Sequence, residues 1–312
     1  MKLAYAVDLY ISRRQSSSER FCGPAGTLRS FSRRFDGLFL HRITPSQVFQ
    51  FLNCPHTERA TWKIKYGVLR MFFEYWHLRG NLKTVPLPPS GPKVTRTFVP
   101  YIYSLSDLRA LIDALPQCQR NRACAMSTNT FRTLLLFLYG TGMRIGEAVG
   151  LHISDVNMSS HLVTVRGTKF YKSRFVPFGR DVHKLLQQYL ETSPRLSQAH
   201  QPFFQSQGKK RLRVNMVGIN FRRLCQLAGV CRQDIALRQP RIHDIRHTFV
   251  VHRLTEWYEQ EADVQCLILA LSTYLGHVDL HSTQHYLTMT PELLAQANRR
   301  FENYARKGSH DR

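Results

Sequence analysis

The side chains best suited to chemistry lie in one C-terminal stretch: His243-Asp244-Ile245-Arg246-His247, then Leu275-Gly276-His277, then Tyr286. Far upstream stands Arg144-Ile145-Gly146-Glu147, just after Gly140-Thr141-Gly142. A guanidinium presents a planar fork of donors that fits two non-bridging phosphate oxygens. An imidazole donates a hydrogen bond or moves a proton near neutrality. A tyrosine hydroxyl can attack phosphorus and keep the broken bond as an ester. Together these groups could bind and attack a phosphodiester without a metal. No carboxylate cluster for two metals and no G-x-x-x-x-G-K loop is recognisable, so neither metal nor cofactor is expected. The 7 cysteines include no C-x-x-C pair and read as reduced thiols.

Each group alone has a plainer reading. Arg144 and Glu147 could be an i, i+3 ion pair on a helix. A single His after Gly, as at His277, is often a turn residue. Tyr286 is one of 13 tyrosines, and most tyrosines pack in cores. The segments around them give these residues their weight.

Trp62, Tyr66, Leu69, Phe72, Phe73 and Trp76 recur at helical steps, predicting a long helix from about Thr57 to Leu78 that Gly80 stops. Its aromatic stripe reads as a core face. The basic side, with Arg59, Lys63, Lys65, Arg70 and Arg79, is a candidate face for a polyanion. The first 80 residues read as a helical domain. Residues 81–100, with Pro86, Pro88, Pro89, Pro92 and Pro100 among basic residues, read as an extended linker. Ser104 and Asp107 have the spacing of a capping box, and a buried helix covers about 128–139. Gly140-Thr141-Gly142 ends it, and a short helix follows from near Met143, placing Arg144 at a helix start suited to an anion.

Leu162–Val165 and Arg174–Pro177 then read as strands of a hairpin whose tip carries Lys169 and Lys172. Helical pattern returns at about 180–191, 214–228, 244–258, 264–274 and 291–305. A helix beginning near Arg241 would turn His243, Arg246 and His247 to one side. The expected fold is mainly α with a small antiparallel β-sheet, as two domains: 1–80, and a mixed α+β domain over 101–312 with a tail helix at about 290–306.

The charge is not ordinary. The 312 residues hold 44 Lys and Arg against 21 Asp and Glu, a net +23. Residues 1–95 carry +10 and the rest +13, so both halves are basic. A solubility charge usually mixes signs at a smaller net value; two basic halves suggest that both touch one polyanion, double-stranded DNA. The longest apolar run, Leu134 to Tyr139, falls far short of the roughly 20 residues that span a bilayer, and the N-terminus has no signal-peptide core. No membrane partner and a cytoplasmic, nucleoid-associated location are expected.

The order Gly-Thr-Gly-Met-Arg144-Ile-Gly-Glu147, then Lys169 on a hairpin, then His243-Asp-Ile-Arg246-His247-Thr, then Leu-Gly-His277, then Tyr286 resembles the tyrosine recombinases of the phage integrase family. The motifs cover residues 100–300, and the layout of helical domain, basic linker and catalytic domain extends the likeness to the whole length. No one box is decisive, whereas five in order are specific. The resemblance implies a simple site-specific recombinase that clamps duplex DNA and joins strands through a 3′-phosphotyrosyl intermediate. Arg144 and Arg246 would hold the scissile phosphate, His243 would hold it and help proton transfer, and His277 would donate a hydrogen bond to it. Lys169 would protonate the leaving 5′-hydroxyl, with Lys172, three residues on, the alternative. Tyr286 would be the nucleophile, with Glu147 and His247 in support. The tail helix would dock on a neighbouring protomer, giving a tetramer on DNA; a partner recombinase stays open.

One feature departs from the family: His277 follows Arg246 by 31 positions, more than compact members use, with Glu256, Glu259, Glu261 and Asp263 in the surplus. Two other readings stand beside the recombinase. A type IB topoisomerase uses nearly the same residues as a monomer, and a silent DNA-binding regulator would have no use for Tyr286.

Overall fold

The protein is described by a computed structural model over residues 1–17, 21–54, 59–89, 99–120, 124, 126–166, 173–193, 199–234, 238–276, 286, 295, 298 and 299. Within these residues the chain is mostly helical with one small antiparallel sheet, as its periodicities require. The described residues form two compact units, one up to residue 89 and the other from residue 99 onward.

The first unit is built from α1 (Leu3–Ser16), α2 (Cys22–Arg34), α3 (Pro45–Leu52) and α4 (Arg59–Leu78). The aromatic stripe of α4 is its core: Trp62, Leu69, Phe72, Phe73 and Trp76 are buried with Tyr10, Leu28 and Phe31. Tyr66 is half-buried and stacks on Trp62 at 5.0 Å. Thr57, the expected start, lies outside the described residues. The stop is Gly80, left-handed at φ 75°, with its N–H on the His77 carbonyl at 2.9 Å.

The second unit opens with α5 (Leu105–Asp113). Its capping box is formed: Ser104 Oγ accepts from the Asp107 N–H at 3.0 Å, and the Asp107 carboxylate accepts from the Ser104 N–H at 2.9 Å. After α6 (Leu115–Gln119) comes α7 (Thr128–Thr141), which buries Phe131, Leu134, Leu135, Phe137 and Leu138. The helix continues through Gly140 and Thr141, two residues past the expected end, and Gly142 alone terminates it at φ 59°. Within that last turn the Thr141 hydroxyl donates back to the Phe137 carbonyl at 2.6 Å. Gly142 admits no larger residue, because the ring of Phe249 fills the place of a Cβ. The short α8 (Ile145–Ala148) follows with Arg144 as its N-cap.

Strands β1 (Val156–Asn157), β2 (Leu162–Val165) and β3 (Arg174–Pro177) form a sheet in the order β1-β2-β3, with Val165 opposite Arg174. Val163, Val165 and Val176 enter the core. The hairpin β2–β3 follows from the sequence; β1, at two residues, is too short to leave a period. The hairpin tip lies outside the described residues.

Helices α9 (Arg180–Glu191), α10 (Val214–Leu227), α11 (Asp244–Glu259) and α12 (Val264–Leu275) complete the unit. Helix α11 begins at Asp244, where the helical pattern of about 244–258 starts and three residues after Arg241. The buried Asp244 carboxylate accepts from the Arg241 backbone N–H at 2.9 Å and its guanidinium at 2.8 Å, tying down the turn before the helix. Most of the expected tail helix lies outside the described residues, of which Ala295, Asn298 and Arg299 are helical. Among the described residues no helix is long and apolar enough to cross a membrane.

Candidate active site

Arg246 leaves the first turn of α11 and is 3% exposed. Its Nη1 donates to the Gly142 carbonyl at 2.8 Å, and its Nη2 to the Leu275 carbonyl at 2.9 Å. Arg144 donates from Nη2 to the Gly276 carbonyl at 3.4 Å. Both guanidinium groups thus lean on the carbonyl ends of helices, α7 and α12, where the helix dipole is negative. The left-handed Gly142 and Gly276 end those helices and turn their last carbonyls toward the arginines. Burial and then the neighbouring Arg144 pull Arg246 down to about 10, partly offset by Tyr286 and Glu147. It therefore remains cationic at neutral pH.

Glu147 anchors the group. Its carboxylate accepts from the Arg144 N–H at 3.1 Å and from Arg144 Nη1 at 3.0 Å. It also takes the full fork of Arg174, from Nη1 at 3.0 Å and Nη2 at 2.8 Å. Burial pushes this carboxyl up, but Arg174 and then Arg144 outweigh it and hold it down at about 2. The Arg144 side chain keeps 38% exposure, enough for a phosphate oxygen to reach it.

Tyr286 is 4% exposed and packs with Phe249, Val250 and Leu254 of α11 and with Leu271 and Leu275 of α12. Its ring lies 5.4 Å from that of His247, which meets His243 edge-on at 5.2 Å. Burial raises the phenol above its ordinary value, against the pull of Arg246, which hydrogen-bonds it, and of Arg144. His243 is lowered, first by burial and then by Arg246, with Asp244 opposing. The resting tyrosine is a neutral phenol beside the ring of His247, the lowered His243 imidazole and a cationic fork.

The structure thus brings Arg144, Glu147, His243, Arg246, His247 and Tyr286 together. Lys169, Lys172 and His277 lie outside the described residues. Among the described residues no group of three or more His, Cys, Asp or Glu side chains could hold a metal ion. Sequence reasoning missed Arg174, which it used only as the first residue of a strand. The available signal was an arginine on the hairpin strand that leads away from the basic tip.

The arrangement can grip a phosphodiester with two arginines and set a tyrosine hydroxyl beside it. A family model described as the phage integrase family matches residues 106–292. The integrase/recombinase candidate y4rB of Sinorhizobium fredii is 38% identical over 308 residues, covering 95% of this chain and 96% of that protein. Tyrosine recombinase XerC of Staphylococcus carnosus is 26% identical over 250 residues, 78% of this chain and 76% of its own. A lambda integrase tetramer bound to a Holliday junction shares the fold at 15% identity and a TM-score of 0.64, over 91% of this chain and 76% of that one. On these grounds the chain belongs to the phage integrase family, the tyrosine recombinases that cleave and rejoin DNA.

Proposed function

We propose that this recombinase cuts and rejoins duplex DNA at specific sites with Tyr286 as nucleophile. The observation that carries this reading is the buried Tyr286, hydrogen-bonded by Arg246, near the charge of Arg144 and packed on His247, whose ring in turn meets His243. In the forward step the Tyr286 oxygen attacks the phosphorus, forming a P–O(Tyr) bond while the P–O5′ bond breaks. The phenolic proton passes to the neutral imidazole of His243, and the departing O5′ takes a proton from Lys169, with Lys172 the alternative donor. Arg144, Arg246 and His277 balance the charge that builds on the phosphoryl oxygens. A 5′-hydroxyl attacking the phosphotyrosine reverses each transfer, so rejoining needs no external energy source.

The helical domain of residues 1–80 and the catalytic domain of residues 101–312 would contact one duplex through their basic faces, joined by the linker of residues 81–100. The protein would act as a tetramer on DNA, coupled by the tail helix of about 290–306, in the compartment that holds the chromosome. The fold shared with a lambda integrase tetramer on a Holliday junction supports this assembly.

A duplex half-site with a nick that lets the cleaved strand diffuse away tests the chemistry. Wild type should accumulate a covalent protein–DNA adduct, and Tyr286→Phe should form none. Equal adduct from both would end the assignment. Bridging of two labelled sites by the wild type would then separate a recombinase from a monomeric strand-relaxing enzyme.

A further inference from the structure

Arg174 stands outside the set that the resemblance to the family assigns, yet it is bound into that set on three sides. Its Nη1 and Nη2 take both oxygens of Glu147, and its Nε donates to the Tyr274 carbonyl at 3.1 Å. The side chains of Arg174 and Glu147 are each 13% exposed. The Arg174 guanidinium also lies 3.1 Å from where a Cβ on Gly276 would stand, so the left-handed turn after α12 closes directly over it. One side chain thereby ties β3, at the foot of the basic hairpin, to the Arg144 turn and to the end of α12.

The geometry of Arg144 depends on this tie. Glu147 holds the Arg144 guanidinium through one carboxylate oxygen and its backbone N–H through the other. Without Arg174 the same carboxylate would be free to rotate onto Arg144 alone and draw its guanidinium away from the Gly276 carbonyl. With Arg174 occupying both oxygens in a bidentate fork, the carboxylate plane is fixed. Arg144 then keeps one edge on Glu147 and one on Gly276.

We propose that Arg174 is a positioning residue for strand cleavage, acting through Glu147 to hold Arg144 in the orientation that receives the scissile phosphate. This rests on the reading of Arg144 and Tyr286 as active-site groups. Arg174 itself touches no reacting atom. A displacement of the order of an ångström at a phosphate-holding group is enough to cost about 10²-fold in rate.

The test measures covalent-adduct formation on the nicked half-site, per folded protein and at saturating DNA, with the half-site Kd measured separately. Wild type and Tyr286→Phe are compared first; failure there overturns the active-site reading itself, independently of Arg174. The Arg174 series then uses Arg174→Gln, Arg174→Lys, Glu147→Gln and the double variant Arg174→Gln/Glu147→Gln. Arg174→Gln is expected to slow cleavage roughly 10- to 100-fold while Kd changes less than about threefold. Arg174→Lys, which restores the charge but not the fork, should fall between. The double variant should be no slower than the slower single variant, because both act through one contact. A normal rate per folded Arg174→Gln, or additive losses in the double variant, would overturn the proposal. If Arg174→Gln does not fold, Arg174→Lys decides: a wild-type cleavage rate overturns the proposal, and a slowed rate at unchanged Kd supports it.

Discussion

Arg144, Arg174 and Arg246 converge around a single carboxylate, Glu147, so the cluster carries an excess of positive charge that a phosphate would neutralise. The same excess acts on the proton acceptor. Burial, Arg246, Arg241 and Arg144 all lower His243, and only Asp244 opposes them. If neutral His243 takes the Tyr286 proton, cleavage needs the unprotonated imidazole. The rate at saturating DNA should then stay level as pH falls from about 8 through the ordinary imidazole value of about 6.5, and decline only below it. Single-turnover adduct formation across pH reads this directly. His243→Gln should lower the plateau roughly 10²- to 10⁴-fold and abolish the acid decline. A wild-type decline centred above about 6.5 would sink the assignment of His243 as proton acceptor.

At the scale of elements, helix ends decide where these side chains point. Helix α7 must stop at Gly142 for its carbonyl to reach Arg246, and two independent constraints select glycine there: φ 59° and the Phe249 ring. Gly142→Ala should lose about 2–4 kcal/mol from left-handed strain and forced repacking, read from urea unfolding of the full chain. Gly67 is the counter-case, inside α4 with open space around it and no positive φ. Gly67→Ala should gain roughly 0.5–1 kcal/mol. Equal losses from the two substitutions would show that the helix-end argument is wrong. The same distinction explains what the sequence could reveal. Helices α4, α7, α9, α10, α11 and α12 and the β2–β3 hairpin were legible because buried residues recur along each at its own period. The side-chain clasp between Asp244 and Arg241 that ties down the turn before α11 was not, since no periodicity marks it. Arg174 was hidden for a related reason: its partner Glu147 comes from a different element, and no periodicity encodes a pairing across elements. Arg144, His243, Arg246 and Tyr286 could be singled out only through the order of their motifs, because each one alone is an ordinary residue.

For the whole molecule the governing quantity is the net charge of +23, shared between the two basic halves. Much of it is solvent-facing: Lys209, Lys210, Arg211, Arg213 and Arg222 are exposed around α10, as are Lys63 and Arg70 on α4. Charge of one sign on two separate units is costly in self-repulsion unless a polyanion relieves it. Each phosphate that a lysine or arginine neutralises releases condensed counterions, so affinity should fall along a straight line of log K against log salt, with a slope near −0.9 per phosphate. If both units engage the duplex, about 6–10 phosphates are neutralised, and affinity drops roughly 10³- to 10⁵-fold between 50 and 200 mM salt. Fluorescence anisotropy of a labelled duplex with the full-length Tyr286→Phe variant measures this without covalent trapping. A slope shallower than about −3 would mean that only a few phosphates are neutralised, too few for two basic units to share one duplex. Replacing Lys63 and Arg70 by Gln should then make the slope less steep by roughly one for each phosphate no longer neutralised, whereas an unchanged slope would remove the basic face of α4 from the DNA interface.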